Sequence, residues 1–221
     1  MAIRPVNREQ SLREVISSPA AAQMPTFGAS DMAELRQEIS GLRLELRMLR
    51  IANAELERVA VRDTLTPLHN RRYFLSALNE RIVRRSRYGA HCAILFVDIN
   101  GLKHINDVHG HTAGDYALIH AAQILSAQIR TSDVAARLGG DEFALILEEV
   151  TERQARTKAN DLEKLIGKSV CAYGEVVLPM SAAIGLTILE EDDREDAVIQ
   201  RADADMYARK RAWYDAQRSA K

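Results

Sequence analysis

A glycine pair, Gly139-Gly140, separates two runs of β-forming residues at positions 134–138 and 143–147. A glycine turn between such runs predicts an antiparallel β-hairpin. Glycine accepts positive φ and has no side chain, so another molecule can approach the backbone of this turn closely. Asp141 and Glu142 follow directly and place two carboxylates beside the opening. The hairpin therefore suits a metal-bound polyphosphate, and a plain solvated hairpin tip is the alternative.

A second acidic position lies at the end of an apolar strand. Residues 93–97 form a continuous apolar run, which is typical of a central strand buried on both faces, and the run ends at Asp98. Mg²⁺ prefers oxygen ligands and is usually held by one or two carboxylates together with substrate phosphates. An aspartate at a strand end that faces a hairpin carboxylate therefore predicts a site for phosphoryl transfer.

A heptad repeat precedes this region. Its a and d positions are occupied, in chain order, by Met32, Leu35, Ile39, Leu42, Leu46, Leu49, Asn53, Leu56 and Ala60. Four successive leucines at d predict a coiled coil. The g and e residues that face each other across a parallel seam have opposite charges in three pairs: Asp31 with Arg36, Glu38 with Arg43, and Glu45 with Arg50. The repeat therefore predicts a parallel homodimer through residues 32–60.

Other arrangements of this helix stay open. A single amphipathic helix lying on its own domain is the simplest alternative, although the e/g charges favour the dimer. Leu44, Met48 and Ile51 lie outside the seam, so a higher oligomer or further packing is also compatible with the sequence. Asn53 at an a position pairs with its own copy and specifies register and a parallel dimer at some cost in stability.

Composition limits the classes of partner and compartment. The 221 residues include 30 basic and 31 acidic side chains, so bulk electrostatic binding to nucleic acid or anionic lipid is not expected. No window approaches the length of a membrane span, and residues 1–10 lack the apolar core of a signal peptide, which predicts a cytoplasmic protein. Cys92 and Cys171 fit no metal spacing and lie beside apolar runs, so buried free thiols are expected.

Three segments follow from these patterns: a flexible arm over residues 1–30, a coiled-coil helix over 31–62 and an α/β domain over 63–221. Within the domain, Asn70 and Gly89 bound a predicted helix over 71–88. Further helices are expected over 112–129, 151–167 and 194–217, with one or two strands within 176–189 and a loop over 101–110. This order predicts an α/β sandwich with a mainly antiparallel central sheet flanked by helices.

Several ordered motifs together resemble one known family. They are Asp98-Ile99-Asn100, Lys103, Ile105-Asn106-Asp107, Gly110-His111, Gly114-Asp115 and Gly139-Gly140-Asp141-Glu142-Phe143, with the upstream segment Asp63-Thr64-Leu65-Thr66-Pro67-Leu68-His69-Asn70-Arg71-Arg72. Over roughly residues 60 to 215 the chain resembles the GGDEF family of diguanylate cyclases. The resemblance implies a nucleotidyl-cyclase-like palm, which is a ferredoxin-like arrangement.

The resemblance also implies a reaction, in which two GTP molecules condense to cyclic di-GMP. The 3′-hydroxyl of each GTP would attack the α-phosphate of the other, with pyrophosphate as leaving group. By similarity, Asp98, the carbonyl of Ile99, Asp141 and Glu142 would hold Mg²⁺, with Mn²⁺ as the alternative ion. Either Asp141 or Glu142 would accept the hydroxyl proton, and the sequence does not decide between them.

The residues that would bind GTP follow from the same resemblance. An amide beside a carboxylate can hydrogen-bond the edge of guanine, and Asn106 and Asp115 supply that pair. Phosphates would meet Lys103 and Lys210, and the glycines of the turn, Gly139 and Gly140, would let the nucleotide approach. His111 would touch substrate or simply begin a helix. A plain surface lysine is the alternative for Lys210.

The chain departs from the family pattern at a few positions. Asn100 and Leu102 stand where the family usually has Asp and Phe, and Trp213-Tyr214 stands where it usually has Gly-Arg, a triphosphate contact. Weaker GTP binding is the expected consequence, with Arg209 or Arg211 as candidates to compensate. The metal ligands match the family.

A product site is also implied. Arg130-Thr131-Ser132-Asp133 resembles the RxxD inhibitory site of the family, and Arg137 on the adjoining strand could add a second guanidinium. A helix C-terminal ion pair is the alternative for Arg130 and Asp133. With the product site, the chain would be inhibited by the cyclic di-GMP that it makes.

Two non-enzymatic functions remain as alternatives. One is an inactive GGDEF-like protein that senses cyclic di-GMP through Arg130 and Asp133 and signals through its coiled coil, and the other is an adapter that binds GTP without turnover. Asp98, Asp141 and Glu142 favour the enzyme. A regulatory protein partner of unknown identity is compatible with all three.

Overall fold

The computed structural model describes residues 29–219, apart from the side chains of residues 29, 31, 53–59, 216, 217 and 219. The chain divides into two compact units, with the division after Glu55. The predicted arm over residues 1–30 lies almost wholly outside the described residues. The side chains of Asn53 and Leu56 in the predicted seam also lie outside them.

The first helix, α1 (Ala29–Val61), contains the heptad repeat. Its described seam residues Met32, Leu35, Ile39, Leu42, Leu46 and Leu49 are all between 40% and 67% exposed in the single chain. Leu44, Met48 and Ile51, which lie outside the seam, are exposed to a similar degree. The predicted helix is confirmed, and its apolar side chains are uncovered in one copy.

The domain is built on a five-stranded sheet. The strands are β1 (His69–Asn70), β2 (Cys92–Ile99), β3 (Val134–Gly139), β4 (Glu142–Glu148) and β7 (Ala182–Ile188), in the order β1-β3-β4-β2-β7. Only the short β1–β3 pair is parallel, and the other neighbours are antiparallel. A separate hairpin joins β5 (Cys171–Tyr173) to β6 (Val176–Leu178). The predicted mainly antiparallel sheet is confirmed.

Five helices cover the sheet, namely α2 (Arg71–Tyr88), α3 (Leu102–His109), α4 (His111–Ala127), α5 (Glu152–Lys168) and α6 (Glu195–Ser219). Alternate residues of β2 point to opposite faces, as the period of a strand requires. Leu95 and Val97 pack with α3, α4 and α5, whereas Ile94 and Phe96 pack with α2 and α6. By the same alternation Asp98 belongs to the face that α6 covers.

Close approach of α6 to the sheet depends on Gly185. A Cβ at this position of β7 would lie 2.3 Å from the carbonyl oxygen of Ala202 and from the amide of Met206, both in α6. Because real Cβ atoms do not approach backbone so closely, only glycine allows this packing. The contact sets Lys210, one turn beyond Met206, over the end of β2.

Helix boundaries mostly follow the sequence signals. Asn70 caps α2 by accepting a hydrogen bond from the amide of Tyr73, and Gly89 ends that helix with a φ of 68°. Thr151 and Gln154 form a capping box at the start of α5. The expected helix over 112–129 is confirmed as α4, one residue earlier at its start and two at its end.

Two expectations require correction. The loop predicted over residues 101–110 is mostly the helix α3, because Leu102 and Ile105 are buried on one helical face and stabilise the turn between two flanking glycines. Strand β5 was not expected, since three residues are too few for a periodic signal.

Both cysteines are free and buried, as expected, and burial raises the pKa of the Cys92 thiol to about 12. Over the part of the chain that the structure describes, every helix is too short or too polar to cross a bilayer.

Candidate active site

Asp98 lies at the end of β2, in an antiparallel register that sets it directly opposite Glu142 of β4. The amide of Ile99 donates to the carbonyl oxygen of Asp141 at 3.1 Å, which fixes the hairpin against the strand end. Two carboxylates on facing positions of neighbouring strands repel each other unless a cation lies between them. The sheet therefore brings together the three acidic residues that the sequence selected.

Lys210 is the cation nearest to this group. Its Nζ donates to Oδ2 of Asp98 at 2.6 Å, and Asp98 is only 2% exposed. The other oxygen, Oδ1 of Asp98, is buried and has no hydrogen-bond partner among the described residues. A buried acceptor without a donor is costly, and it marks a position for a further cation or donor.

The pKa shifts of Asp98 and Lys210 indicate that the strand end has too little positive charge. Burial raises the pKa of Asp98, and the charges of Asp141 and Glu142 act in the same direction, so that together they outweigh the hydrogen bond and charge of Lys210. Burial lowers the pKa of Lys210, but its interactions with Asp98 and the charge of Asp141 reverse the effect and raise it above its usual value. The positive charge of one lysine therefore does not offset the burial of Asp98 and the negative charges beside it.

These donors fit a hard divalent ion, since carboxylate oxygens are the ligands that Mg²⁺ and Mn²⁺ take. Among the described residues, no set of three or more His, Cys, Asp or Glu side chains is preassembled around one metal position. Mg²⁺ sites commonly use one or two carboxylates and complete the coordination with substrate phosphates and water. The carboxylates present therefore fit such an ion as part of its ligand set.

The glycine turn is held by Arg137, a residue that the sequence pointed to for another reason. Gly140 adopts a φ of 53°, and open space surrounds the position of a Cβ there. Arg137 Nη2 and Nε donate to the carbonyl oxygen of Gly140 at 2.8 and 3.1 Å, and Nη1 approaches Oδ1 of Asp63 at 3.4 Å. All three nitrogens are engaged in the protein, which differs from the free guanidinium expected for a product site.

The segment after α1 is tied into the same network. Asp63 Oδ1 accepts a hydrogen bond from the amide of Thr66 at 2.8 Å. Burial alone would raise the pKa of Asp63, but the hydrogen bonds from Thr66 and Arg137 and the charge of Arg137 hold this pKa below its usual range. Asn70 Nδ2 donates to the carbonyl oxygens of Ala60 and Arg62 at 2.9 and 3.1 Å. Asp63 Oδ1 also accepts from the amide of Leu65 at 3.2 Å, which is an Asx turn, and an aspartate at the start of a turn was the signal available in the sequence.

The predicted guanine contacts lie on two consecutive helices. Asn106 belongs to α3, and a Cβ on Gly114 of α4 would lie 1.9 Å from its Oδ1. Gly114 is thus required for the amide of Asn106 to pack against α4, a role that the sequence did not reveal. Asp115 follows on α4 and is exposed, and His111 is the exposed first residue of the same helix.

A cavity of about 730 Å³ lies next to the strand end. Its lining includes Asn100, Lys103, His104, Trp213, Tyr214 and Arg218. The rings of Trp213 and Tyr214 pack edge to face with centroids 4.9 Å apart. The predicted phosphate residue Lys103 therefore shares a cavity with the two aromatic residues that depart from the family pattern.

Neither arginine proposed to compensate for that departure lines this cavity. Arg209 instead pairs with Asp205 at 3.3 Å and Glu163 at 3.6 Å. Arg211 is exposed on the same helix.

Arg130 and Asp133 belong to a turn that precedes β3 and the glycine pair in the sequence. Asp133 Oδ2 accepts from the amide of Arg130 at 2.9 Å, and Oδ1 accepts from the amide of Glu148 at 3.1 Å. The two residues line a cavity of about 170 Å³ together with Lys158. The Arg130 side chain is exposed, whereas both oxygens of Asp133 already bind backbone.

Comparison with known proteins agrees with this geometry. The family described as "Diguanylate cyclase, GGDEF domain" matches residues 60–215. The bifunctional diguanylate cyclase/cyclic di-GMP phosphodiesterase MucR of Pseudomonas aeruginosa is 39% identical over 158 residues, which cover 71% of this chain and 23% of MucR. The chain spans less than half the length of the curated relatives it matches.

Solved structures give the same result for the fold. The diguanylate cyclase SiaD of Pseudomonas aeruginosa, solved with its activator SiaC, is 28% identical with a TM-score of 0.69, over 93% of this chain and 85% of that chain. The coiled coil and GGDEF domain of DgcB from Caulobacter crescentus, in complex with c-di-GMP, has a TM-score of 0.76 at 24% identity, over 80% of this chain and 95% of that one. With the family match over most of its length and this palm fold, the chain belongs to the GGDEF-domain family of diguanylate cyclases.

Proposed function

We propose that this protein is a diguanylate cyclase that condenses two GTP molecules into one cyclic di-GMP and two pyrophosphates. The observation that carries the proposal is the acidic strand end, where Asp98 faces Glu142 across β2 and β4 beside a glycine turn. The buried free oxygen of Asp98 and the single lysine at this end support a site that gains positive charge with its substrate. The curated diguanylate cyclases among its relatives favour the same reaction.

The acidic residues have two roles, which are to hold the metal ion and to accept a proton. Asp98, the carbonyl of Ile99, Asp141 and Glu142 would hold Mg²⁺ or Mn²⁺. When bound, such an ion neutralises phosphate charge and stabilises the attacking and leaving oxygens. Asp141 or Glu142 accepts the proton of the 3′-hydroxyl as its oxygen bonds to the α-phosphorus of the other GTP. The leaving pyrophosphate keeps the electron pair of the broken P–O bond.

The remaining residues orient GTP. Arg137 donates two hydrogen bonds to the carbonyl of Gly140, so the open backbone at Gly139 and Gly140 keeps one shape for the nucleotide. Asn106 and Asp115 hydrogen-bond guanine, and His111 lies at the start of the same helix as Asp115. Lys103 and Lys210 bind phosphates. Lys210 exchanges Asp98 for phosphate when the substrate arrives, because its Nζ is the group that now covers Oδ2.

The reaction requires two copies of the domain. Each domain over residues 63–221 binds one GTP, and each GTP supplies one nucleophile and one electrophile, so two sites must face each other about a two-fold axis. The helix over residues 31–62 supplies that pair as a parallel coiled coil. The exposed leucines of α1 support this role, since an apolar stripe left uncovered in one chain is expected to pack against a second copy.

Product inhibition is the second part of the proposal. Arg130 and Asp133 bind cyclic di-GMP, with the guanidinium of Arg130 free at the surface to fork onto phosphate or guanine. Arg137 joins them only if it releases Gly140, which would also loosen the active-site turn. A regulatory protein partner fits the same architecture, and SiaD was solved in complex with its activator SiaC.

One experiment separates the enzyme from the two alternatives. The purified protein is incubated with GTP and Mg²⁺, and the nucleotides are resolved by chromatography. A cyclase forms cyclic di-GMP and pyrophosphate in a ratio of one to two. GTP that is bound but unchanged would indicate an adapter, and binding of added cyclic di-GMP without turnover would indicate a sensor.

A further inference from the structure

The cavity beside the active site has a cationic residue that the family pattern does not predict. Lys210, Tyr214 and Arg218 are spaced four residues apart on α6, so they lie along one face of the helix. Lys210 at one end of this row binds Asp98, while Tyr214 and Arg218 line the cavity of about 730 Å³. The row therefore leads from the carboxylates into the cavity and ends at Arg218.

Charge within the cavity favours an anion. Lys103 and Arg218 line it as cations, His104 adds an imidazole, and Asp107 is the one carboxylate in the lining. No hydrogen bond or ion pair to another described residue engages Lys103 or Arg218, in contrast with Arg209, which is held by Glu163 and Asp205. Two uncommitted cations in one cavity next to a nucleotide site are suited to phosphate oxygens.

A second observation also points to a ligand in this cavity. Asn100 lines it and is 3% exposed, and its Nδ2 donates to Ser181 Oγ at 3.2 Å. Oδ1 of Asn100 is buried and has no partner among the described residues. A buried amide oxygen of this kind needs a donor from outside the chain, such as water or a nucleotide hydroxyl.

The geometry points to Arg218 as the residue that binds the terminal phosphates of the nucleotide in this chain, with Lys103 in the lining of the same cavity. Tyr214 occupies the helical position one turn nearer to Lys210 and has no positive charge to offer. The rise of one helical turn is about 5.4 Å, a distance that an extended arginine side chain spans. This inference rests on the proposed function, because it names the part of the substrate that the same site recognises.

The test compares Arg218→Gln with Arg211→Gln, a matched control on the same helix outside the cavity lining. Inorganic tripolyphosphate and GMP, each titrated with Mg²⁺, are used as calorimetric probes of the full chain. Arg218→Gln should bind tripolyphosphate about tenfold more weakly, as loss of a charge-assisted bond predicts, and leave GMP affinity unchanged. In GTP turnover it should raise KM about tenfold and change kcat by less than about twofold. Arg211→Gln should stay within about twofold of wild type in all of these.

A second variant tests whether a guanidinium on this face of α6 restores phosphate binding. Adding Tyr214→Arg to Arg218→Gln moves the guanidinium one turn along the same face, and it should restore most of the tripolyphosphate affinity. The inference is overturned if wild type fails to bind tripolyphosphate, if Arg218→Gln binds it as wild type does, or if Arg211→Gln loses as much. A wild-type protein that binds tripolyphosphate through Arg218 but makes no cyclic di-GMP would instead overturn the proposed function alone.

Discussion

Leucine side chains are exposed in one unit of this protein and buried in the other. In α1, Leu42 and Leu49 are 58% and 67% exposed in the single chain, whereas Leu95 and Leu145 in the sheet are fully buried. Both groups belong to a regular apolar pattern, which repeats every seven residues in the helix and is a continuous apolar run in the strands. The pattern alone therefore does not tell whether a residue is buried by its own chain.

The difference lies in what surrounds each pattern. The sheet has helices on both faces, so each apolar side chain of β2 meets a partner from α2 to α6. Burial of a leucine is worth roughly 1.5–3 kcal/mol, and the domain realises that gain within one chain. In α1 the seam leucines are uncovered in the single chain, so this gain is not realised there. We propose that a second copy of α1 covers them and that the domain carries the chemistry.

The largest expected effect lies in the domain and should leave the helix untouched. Glu142→Gln and Asp141→Asn remove charge from the acidic strand end without changing side-chain volume. Each should lower cyclic di-GMP formation by about 10²- to 10³-fold, the usual effect of losing an electrostatic group at a reaction centre. Product chromatography measures the rate, and light scattering should give the wild-type mass. Wild-type turnover by either variant would remove that residue from the site.

A core substitution sharpens the contrast in stability. Phe74 is fully buried and its ring packs against Phe96 with centroids 6.0 Å apart. Phe74→Ala should cost about 3–5 kcal/mol of domain stability through the lost contacts and the cavity. Leu44→Ala in α1 is the control and should change stability by less than about 0.5 kcal/mol, because Leu44 is exposed. Urea unfolding measures both, and equal losses would contradict the separation of the two units.

The seam itself can be tested with two equally exposed leucines. Leu42 and Leu44 are 58% and 62% exposed in the single chain, but only Leu42 occupies a d position. Leu42→Glu should weaken association at least tenfold, or by about 1.4 kcal/mol, since it buries a charge in the seam. Leu44→Glu should keep the mass of the dimer. Light scattering across a dilution series decides, and the coiled-coil assignment fails if both variants dissociate or neither does.

The smallest expected change in stability concerns Asp98. Its folded pKa is raised, so its contribution to stability is greatest below the usual aspartate pKa of about 3.9 and is lost as the pH rises through the raised value. At neutral pH, without metal or nucleotide, Asp98→Asn should therefore raise the melting temperature by roughly 2–4 °C. The same variant should lose cyclase activity. A lower melting temperature would mean that the Lys210 pair outweighs the cost of burying this charge.

These contrasts also separate what the sequence predicted from what it did not. The strand ending at Asp98, the hairpin and the caps at Asn70 and Thr151 were predictable, because each depends on neighbours within a few residues. The pairing of Lys210 with Asp98 was not, since those residues are 112 positions apart and meet only because Gly185 lets α6 approach the sheet.

The contacts of Arg137 in the site were also not predictable from the sequence. Its sequence position beside the hairpin suggested a product contact, while its actual partners are Gly140 and Asp63, and Asp63 lies 74 positions earlier in the chain. Helix α3 was expected as a loop because eight residues give little periodic signal between two glycines. Local rules thus located the functional residues, and long-range packing determined what each of them touches.

We propose that the domain performs the chemistry and that α1 only brings two domains together. The most direct test is the specific activity for cyclic di-GMP formation, measured from nanomolar to micromolar protein, for wild type and for Leu42→Glu/Leu49→Glu. Wild type should show constant specific activity once dimeric, and the variant should be nearly inactive when dilute and gain activity with concentration. Coincident curves, or no cyclic di-GMP from either protein, would contradict this division of roles between the domain and α1.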